Sequence, residues 1–241
     1  MRCLIASDIH SNVEALEAVL ADARLRGFDH ALCLGDIVGY GADPGVTVGI
    51  VRESFDVSVR GNHDAAALNE AERFRFNEYA RAAIEWTRDE LSGEELKFLE
   101  KLPLTDQIDG VHLVHASPED PPGWHYVTDT LEASYQFEAF EEQICLIGHT
   151  HVPLVVSLEG GTIRTESGPK VRLRPSVRYL INVGSVGQPR DGDPDAAYGL
   201  LDLDAGVLEL RRVPYNAKRA RRRILRAGLP EFLGERLLDG V

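Results

Sequence analysis

Residues Leu146 to His151 read LIGHTH, an apolar run that ends in two histidines one residue apart. A single histidine on an apolar face is usually a satisfied core or surface residue. A pair at i, i+2 in extended chain projects to one side, a geometry suited to shared ligation. Four more polar clusters follow apolar runs: Asp8 and His10 in DIH, Asp36 in GD, Gly61 to Asp64 in GNHD, and His115 in VHAS. Five of the eight histidines fall in these clusters, which random surface placement does not produce. Asp8, His10, Asp36, Asn62, His115, His149 and His151 offer carboxylate, imidazole and one amide oxygen, with no thiolate. Such a mixed set suits Mn, Fe, Zn, Co or Ni better than Ca or Mg. Seven donors exceed one tetrahedral site with an open position, and they match two metals sharing a bridging carboxylate. Taken singly, GD is usually a turn and HxH only sometimes a ligand pair; the joint pattern carries the reading.

The clusters need elements that bring them together. Residues 2–6 read as a strand, 13–26 as a helix capped by Ser11 or Asn12, 30–34 as a strand, 45–54 as a helix and 56–59 as a strand. This β-α-β-α-β order with short connections implies a parallel sheet with helices on its faces, and ligand sites gather at the carboxyl ends of such strands. Residues 65–101, rich in Ala, Glu, Arg and Phe, read as a helical insertion over the sheet edge, closed by Pro103. A strand, a Pro-rich loop, a helix over 130–142 and the LIGHTH strand follow. The last third suggests antiparallel hairpins around the turns EGG and DAG, then two short helices over about 216–238. The expected result is one α/β domain, a βαβ half followed by a β-rich half, with two sheets packed together.

The ordered set DxH, GD, GNHD, H and GHTH resembles the calcineurin-like metallophosphoesterase superfamily, from residue 2 to about residue 190. The stretch Asn182 to Pro194, NVGSVGQPRDGDP, is similar to one in its small bacterial phosphodiesterase-type members. The resemblance implies a four-layer α-β-β-α sandwich of two mixed sheets with flanking helices. It implies that Asp8, His10 and His151 bind a first metal, that Asn62, His115 and His149 bind a second, and that Asp36 bridges them. His63 is then the residue that protonates the leaving oxygen. The implied cofactors are two divalent transition metal ions, manganese first, with Fe, Zn, Ni or Co as alternatives. The implied activity is a metal-dependent phosphoesterase, a phosphodiesterase or nucleotide hydrolase, with dinucleoside polyphosphates among its candidate substrates. Phosphomonoesterase or phosphoprotein phosphatase activity, or a non-catalytic metal-binding module, are the other readings. Tyr40 in GYGADP, His125 in the Pro/Trp loop and Arg190 are candidate substrate contacts, Arg190 because guanidinium grips phosphate bidentately. The two glycine-rich loops carrying Tyr40 and Arg190 read equally well as plain tight turns. His112, three residues before His115 in a strand, and His30 at a strand start read as structural.

A net charge of −13 argues against a polyanion-binding surface. Residues 211–226 nevertheless hold eight Lys/Arg and no acid. Ala217, Ala220 and Ile224 at i, i+3, i+7 make that stretch a packed helix whose arginines face water or the acidic body. Cys3, Cys33 and Cys145 sit singly in apolar runs and read as buried reduced thiols, which fits a cytoplasmic protein. No run of eighteen apolar residues exists, so no membrane span is expected. The expected partner is a small phosphorylated substrate, in particular a nucleotide. A membrane partner is not expected, nucleic acid is disfavoured, and a homo-oligomer is left open.

Overall fold

The first apolar run forms β1 (Arg2–Ala6), and Asn12 caps α1 (Val13–Arg26) by accepting the Ala15 amide at 3.2 Å. In this computed structural model, which describes residues 1–241, β2 (His30–Cys33), α2 (Pro44–Ser54) and β3 (Val57–Ser58) complete a parallel β-α-β-α-β unit. The insertion then runs as α3 (Asn62–Leu68), α4 (Glu70–Arg73), α5 (Glu78–Glu90) and α6 (Gly93–Lys101). It packs against α2 and against itself. Next come β4 (Thr105–Ile108), β5 (Val111–Val114), α7 (Thr130–Gln136), β6 (Ile144–Ile147), β7 (Leu154–Glu159), β8 (Thr162–Glu166) and β9 (Lys170–Arg172). The chain ends with β10 (Arg178–Asn182), β11 (Ala196–Asp202), β12 (Val207–Val213), α8 (Ala217–Arg226) and α9 (Glu231–Asp239).

Two six-stranded mixed sheets result, ordered β3-β2-β1-β11-β12-β9 and β4-β5-β6-β10-β7-β8. Because side chains alternate along a strand, each sheet offers two faces, and each face finds cover. Ile5, Leu32, Leu113, Leu146, Tyr179, Ile181 and Leu208 point into the space between the sheets. Leu4, Ala6, Ala31 and Leu200 point outward onto α1 and α2, where Leu16, Val19, Val48 and Val51 meet them. On the far side Cys145, Ile147 and Leu180 pack with Ala133 and Phe137 of α7 and its end. This is the four-layer α-β-β-α sandwich.

The sheets do not correspond to the two halves of the sequence. β1 pairs parallel with β2 and antiparallel with β11, while β10 lies parallel to β6 and antiparallel to β7. A strand such as β1 is apolar on both faces and has two edges to satisfy. A partner from the distant end of the chain completes it, which local pattern cannot announce. The EGG turn does close a hairpin between β7 and β8, with Gly160 and Gly161 both at positive φ. β4, which pairs with β5, is polar and exposed and gave no strand signal. The basic segment forms α8 with Ala220 and Ile224 buried. Its arginines meet acids of the same chain: Arg219 reaches Glu14 at 3.1 Å, Arg223 binds Asp43 and Arg221 binds Glu235. The three cysteines are buried and unpaired. No helix is long and apolar enough to cross a membrane.

Candidate metal centre

The five polar clusters converge where the two sheets meet at the carboxyl ends of β1, β2, β3, β5 and β6. Asp8, His10, Asp36 and His151 place one ligand atom each within 4.8 Å of one another, and Asp36, His115 and His149 do the same. Asp36 belongs to both groups. Asn62 joins the second, its Oδ1 3.1 Å from His115 Nε2. All seven side chains are buried. The two histidines of GHTH thus serve different groups, contrary to the shared ligation expected of an extended pair. Asp8, His10, Asp36, His149 and His151 all lie past their strands in left-handed backbone, with φ of 53°, 49°, 50°, 68° and 61°. That region is uncommon for residues with a Cβ and is typically held only where surrounding structure enforces it.

The hydrogen bonds at the back of the site settle which nitrogen faces its centre. His10 Nδ1 lies 3.0 Å from Val38 O, His115 Nδ1 2.8 Å from Leu34 O and His151 Nδ1 2.6 Å from Gln188 O. A carbonyl only accepts, so each Nδ1 carries a proton and each Nε2 faces inward. Burial lowers the pKa of His10 and His151, whose Nε2 atoms present lone pairs, whereas at His115 the Asp36 carboxylate outweighs burial and raises it to about 9. His10 Nε2 and His151 Nε2 then face each other at 3.1 Å, and His151 Nε2 stands 3.2 Å from Asp8 Oδ1. Lone pairs opposed at these distances repel unless a cation lies among them. Asp8 and Asp36 are 0% and 1% exposed and have only histidines as ion-pair partners, with no Lys or Arg. Two buried carboxylates with only the His115 imidazole raised enough to balance them are costly. Asp8 Oδ1 and His149 Nε2 also lack any hydrogen-bond partner. The donor set fits a pair of divalent cations on all these counts. Burial opposes the charge on Asp36, but its histidine neighbours, His115 first, outweigh it and hold the carboxyl well below its usual range. Burial, with His115 nearby, pushes His149 down to about 3, so its imidazole is neutral and able to ligate.

The ligands are held by residues that sequence reading left without a role. Ser7 Oγ donates to Asp8 Oδ2 at 2.6 Å, and the His149 amide donates to the same oxygen at 3.1 Å. Asp64 accepts from the amides of Ile37 (2.9 Å), Val38 (3.2 Å) and Gly61 (3.0 Å), tying the GD loop to the GNHD turn. The 182–194 loop acts the same way: Asn182 donates to Gly148 O at 2.6 Å and Ser185 Oγ to Asp8 O at 2.8 Å. Ser7 had no motif to mark it. Asp64 was visible as the last letter of GNHD.

His63 has its amide 2.8 Å from Asp36 Oδ1. Its ring lies between Tyr40 (centroids 4.4 Å) and Phe76 (4.5 Å). Its Nδ1 has no partner, and burial chiefly, with Arg190 nearby, lowers it to about 4. His63, Tyr40, Arg190, Asn62, His149 and His151 line an open cavity of about 120 Å³ over the centre. Arg190 is held by Gln188 Oε1 at 2.9 Å and Tyr40 Oη at 3.4 Å. His125 instead points to solvent and bonds Asp120 at 3.2 Å; its neighbours Trp124 and Tyr126, not His125, face the site. His112 lies beside Glu142 at 3.7 Å and His30 beside Asp56 at 3.6 Å, both away from the centre.

Residues 1–206 match the calcineurin-like phosphoesterase superfamily domain. An uncharacterised protein of Methanocaldococcus jannaschii is 43% identical, over 98% of this chain and 97% of its own. The crystal structure of a metallophosphoesterase from Sphaerobacter thermophilus superposes with a TM-score of 0.87 at 40% identity, covering 100% of this chain and 99% of that one. The phosphodiesterase YfcE of Escherichia coli is 28% identical over 85% of this chain and 89% of its own. Family match, fold and ligand cluster together indicate a binuclear divalent-metal site, and the chain belongs to the calcineurin-like phosphoesterase superfamily.

Proposed function

We propose that this protein is a phosphodiesterase that works with two divalent cations, manganese foremost, held by Asp8, His10, Asp36 and His151 on one side and Asp36, Asn62, His115 and His149 on the other. The carrying observation is the pair of buried ligand groups sharing Asp36, with imidazole Nε2 atoms turned inward and no Lys or Arg to balance the carboxylates. Cations bound there would neutralise phosphoryl oxygens and lower the pKa of water enough to provide hydroxide near neutral pH.

The chain's own residues supply the rest. Arg190, braced by Gln188 and Tyr40, offers its guanidinium to a phosphoryl oxygen across the cavity. His63, fixed between two rings, protonates the departing oxygen. An anionic ester beside the ring raises its pKa from the low value that burial imposes, so the acid form is favoured when substrate is present. Such help is worth about 10²–10⁴-fold. The relative YfcE is named a phosphodiesterase, which supports the diester over the monoester reading. The non-catalytic reading loses ground because every ligand and His63 are in place.

Bis-p-nitrophenyl phosphate should be hydrolysed by Mn-loaded protein and spared after exhaustive chelation, with activity returning on adding Mn. Equal turnover before and after verified metal removal, or none with any divalent transition metal, would overturn the proposal.

A further inference from the structure

A second cavity, of about 230 Å³, opens beside the metal site and shares Asn62, Arg75, Phe76, Tyr126 and His149 with it. Aromatic residues make up 7% of the chain, yet Phe76, Trp124 and Tyr126 are three of the eight residues around this space. They come from two separate segments, the helical insertion and the loop after β5. Two of them are seated on the site itself: Phe76 lies against His63, and Tyr126 stacks on His149 with centroids 4.1 Å apart at 25°. Trp124 sits in the left-handed region with φ of 57°, a conformation bulky residues rarely take, and lies 6.0 Å from His115. Arg75 and Glu72, paired at 3.7 Å, stand on the wall and offer a donor and an acceptor.

We propose that this cavity is a subsite for a nucleobase carried by one ester arm of the substrate, an inference that rests on the phosphodiesterase reading. Flat rings give a heterocycle a face to stack on, and such stacking is tolerant of which base it is. The Arg75–Glu72 pair can meet polar groups on a base edge. An alkyl chain in the same place would desolvate that pair with nothing returned. The space adjoins the ligands directly, so a base lodged there is within one sugar's reach of a phosphate over the metals.

The test compares two diesters with the same leaving group, p-nitrophenyl thymidine 5′-phosphate and methyl p-nitrophenyl phosphate, on Mn-loaded protein. The nucleoside ester should be favoured in kcat/KM by about 5- to 150-fold, the range of one base–aromatic stack, mainly through KM. Tyr126→Leu and Trp124→Leu should bring the ratio towards one, while Tyr126→Phe keeps it. The ratio cancels any loss common to both substrates from disturbing His149 or His115. Separately from activity, adenosine should quench tryptophan emission saturably. Trp124→Phe should abolish that quench, and Trp86→Phe should retain it. Equal kcat/KM for both diesters with no saturable quench would end the subsite and leave the phosphodiesterase standing. Saturable quenching with neither diester hydrolysed would instead sink the phosphodiesterase reading and leave a nucleoside-binding pocket.

Discussion

Asp36 is the side chain common to both ligand groups, so its removal acts on both. Asp36→Ala should abolish turnover and retain clearly less metal by elemental analysis; an active variant without metal would contradict the scheme. His63 belongs to neither ligand group and bonds Asp36 only through its backbone amide, so His63→Ala should keep its metals. It should lose about 10²–10⁴-fold on an alkyl diester. The loss should be smaller with a p-nitrophenyl ester, whose leaving group needs little protonation, and equal losses on both would remove His63 from the proton-donor role. At this scale the motif letters were enough to name the seven ligand candidates. The motif resemblance also divided His149 and His151 between two groups, whereas the tautomers were not legible, because they depend on carbonyls contributed by distant segments.

Loops at strand ends are held in place by contacts too close for a larger residue. A Cβ on Gly187 would run into the Ile9 carbonyl oxygen, and the Gly187 amide already donates to Asp8 O at 2.9 Å. Gly187→Ala should therefore displace the Asp8 turn, lowering thermal stability and metal affinity together; unchanged values for both would show that the turn gives way freely. A different joint locks α1 to the sheet. Asp22 accepts from Tyr198 Oη at 2.6 Å, Arg26 at 2.8 Å and Arg211 at 3.2 Å. These bonds, Arg26 first, lower its pKa from 3.8 to about 2. Its stabilisation is thus fully present above about pH 4 and disappears as the pH falls from there through about 2. The whole shift corresponds to at most about 2 kcal/mol at 1.36 kcal/mol per unit. Asp22→Asn should lower urea stability by about 1–2 kcal/mol at pH 7 and make little difference near pH 2. The helix itself was plain from its spacing, whereas its anchor to β11 and β12, almost two hundred residues away, was not.

The sandwich brings residues 8 to 151 into one buried pocket, and this shape makes the cations part of its stability. Two carboxylates without a Lys or Arg partner repel each other in the metal-free form, and a metal that binds the folded chain alone raises its stability by mass action. Chelation should lower Tm by several degrees, and Asp36→Ala protein should show a smaller drop. A Tm indifferent to chelation would mean that the site is compensated in some other way. The basic run over 211–226 shows the reverse case: eight cationic residues that look like a polyanion surface in one dimension, but whose Arg219, Arg221 and Arg223 are met by Glu14, Glu235 and Asp43 once folded.

Sequence alone determined the ligand chemistry, the βαβ start, the helical insertion and the packed C-terminal helix. Each of these is written in residue type and short-range spacing, which the 3.6 and 2.0 periods of helix and strand preserve. Tertiary structure decided which strands share a sheet, how β1 gains a partner from the far end of the chain, and where Phe76, Trp124 and Tyr126 come to rest. Those outcomes turn on which edges and faces remain unsatisfied after the local elements have formed, and the chain meets that demand with segments that carry no mark of their neighbours.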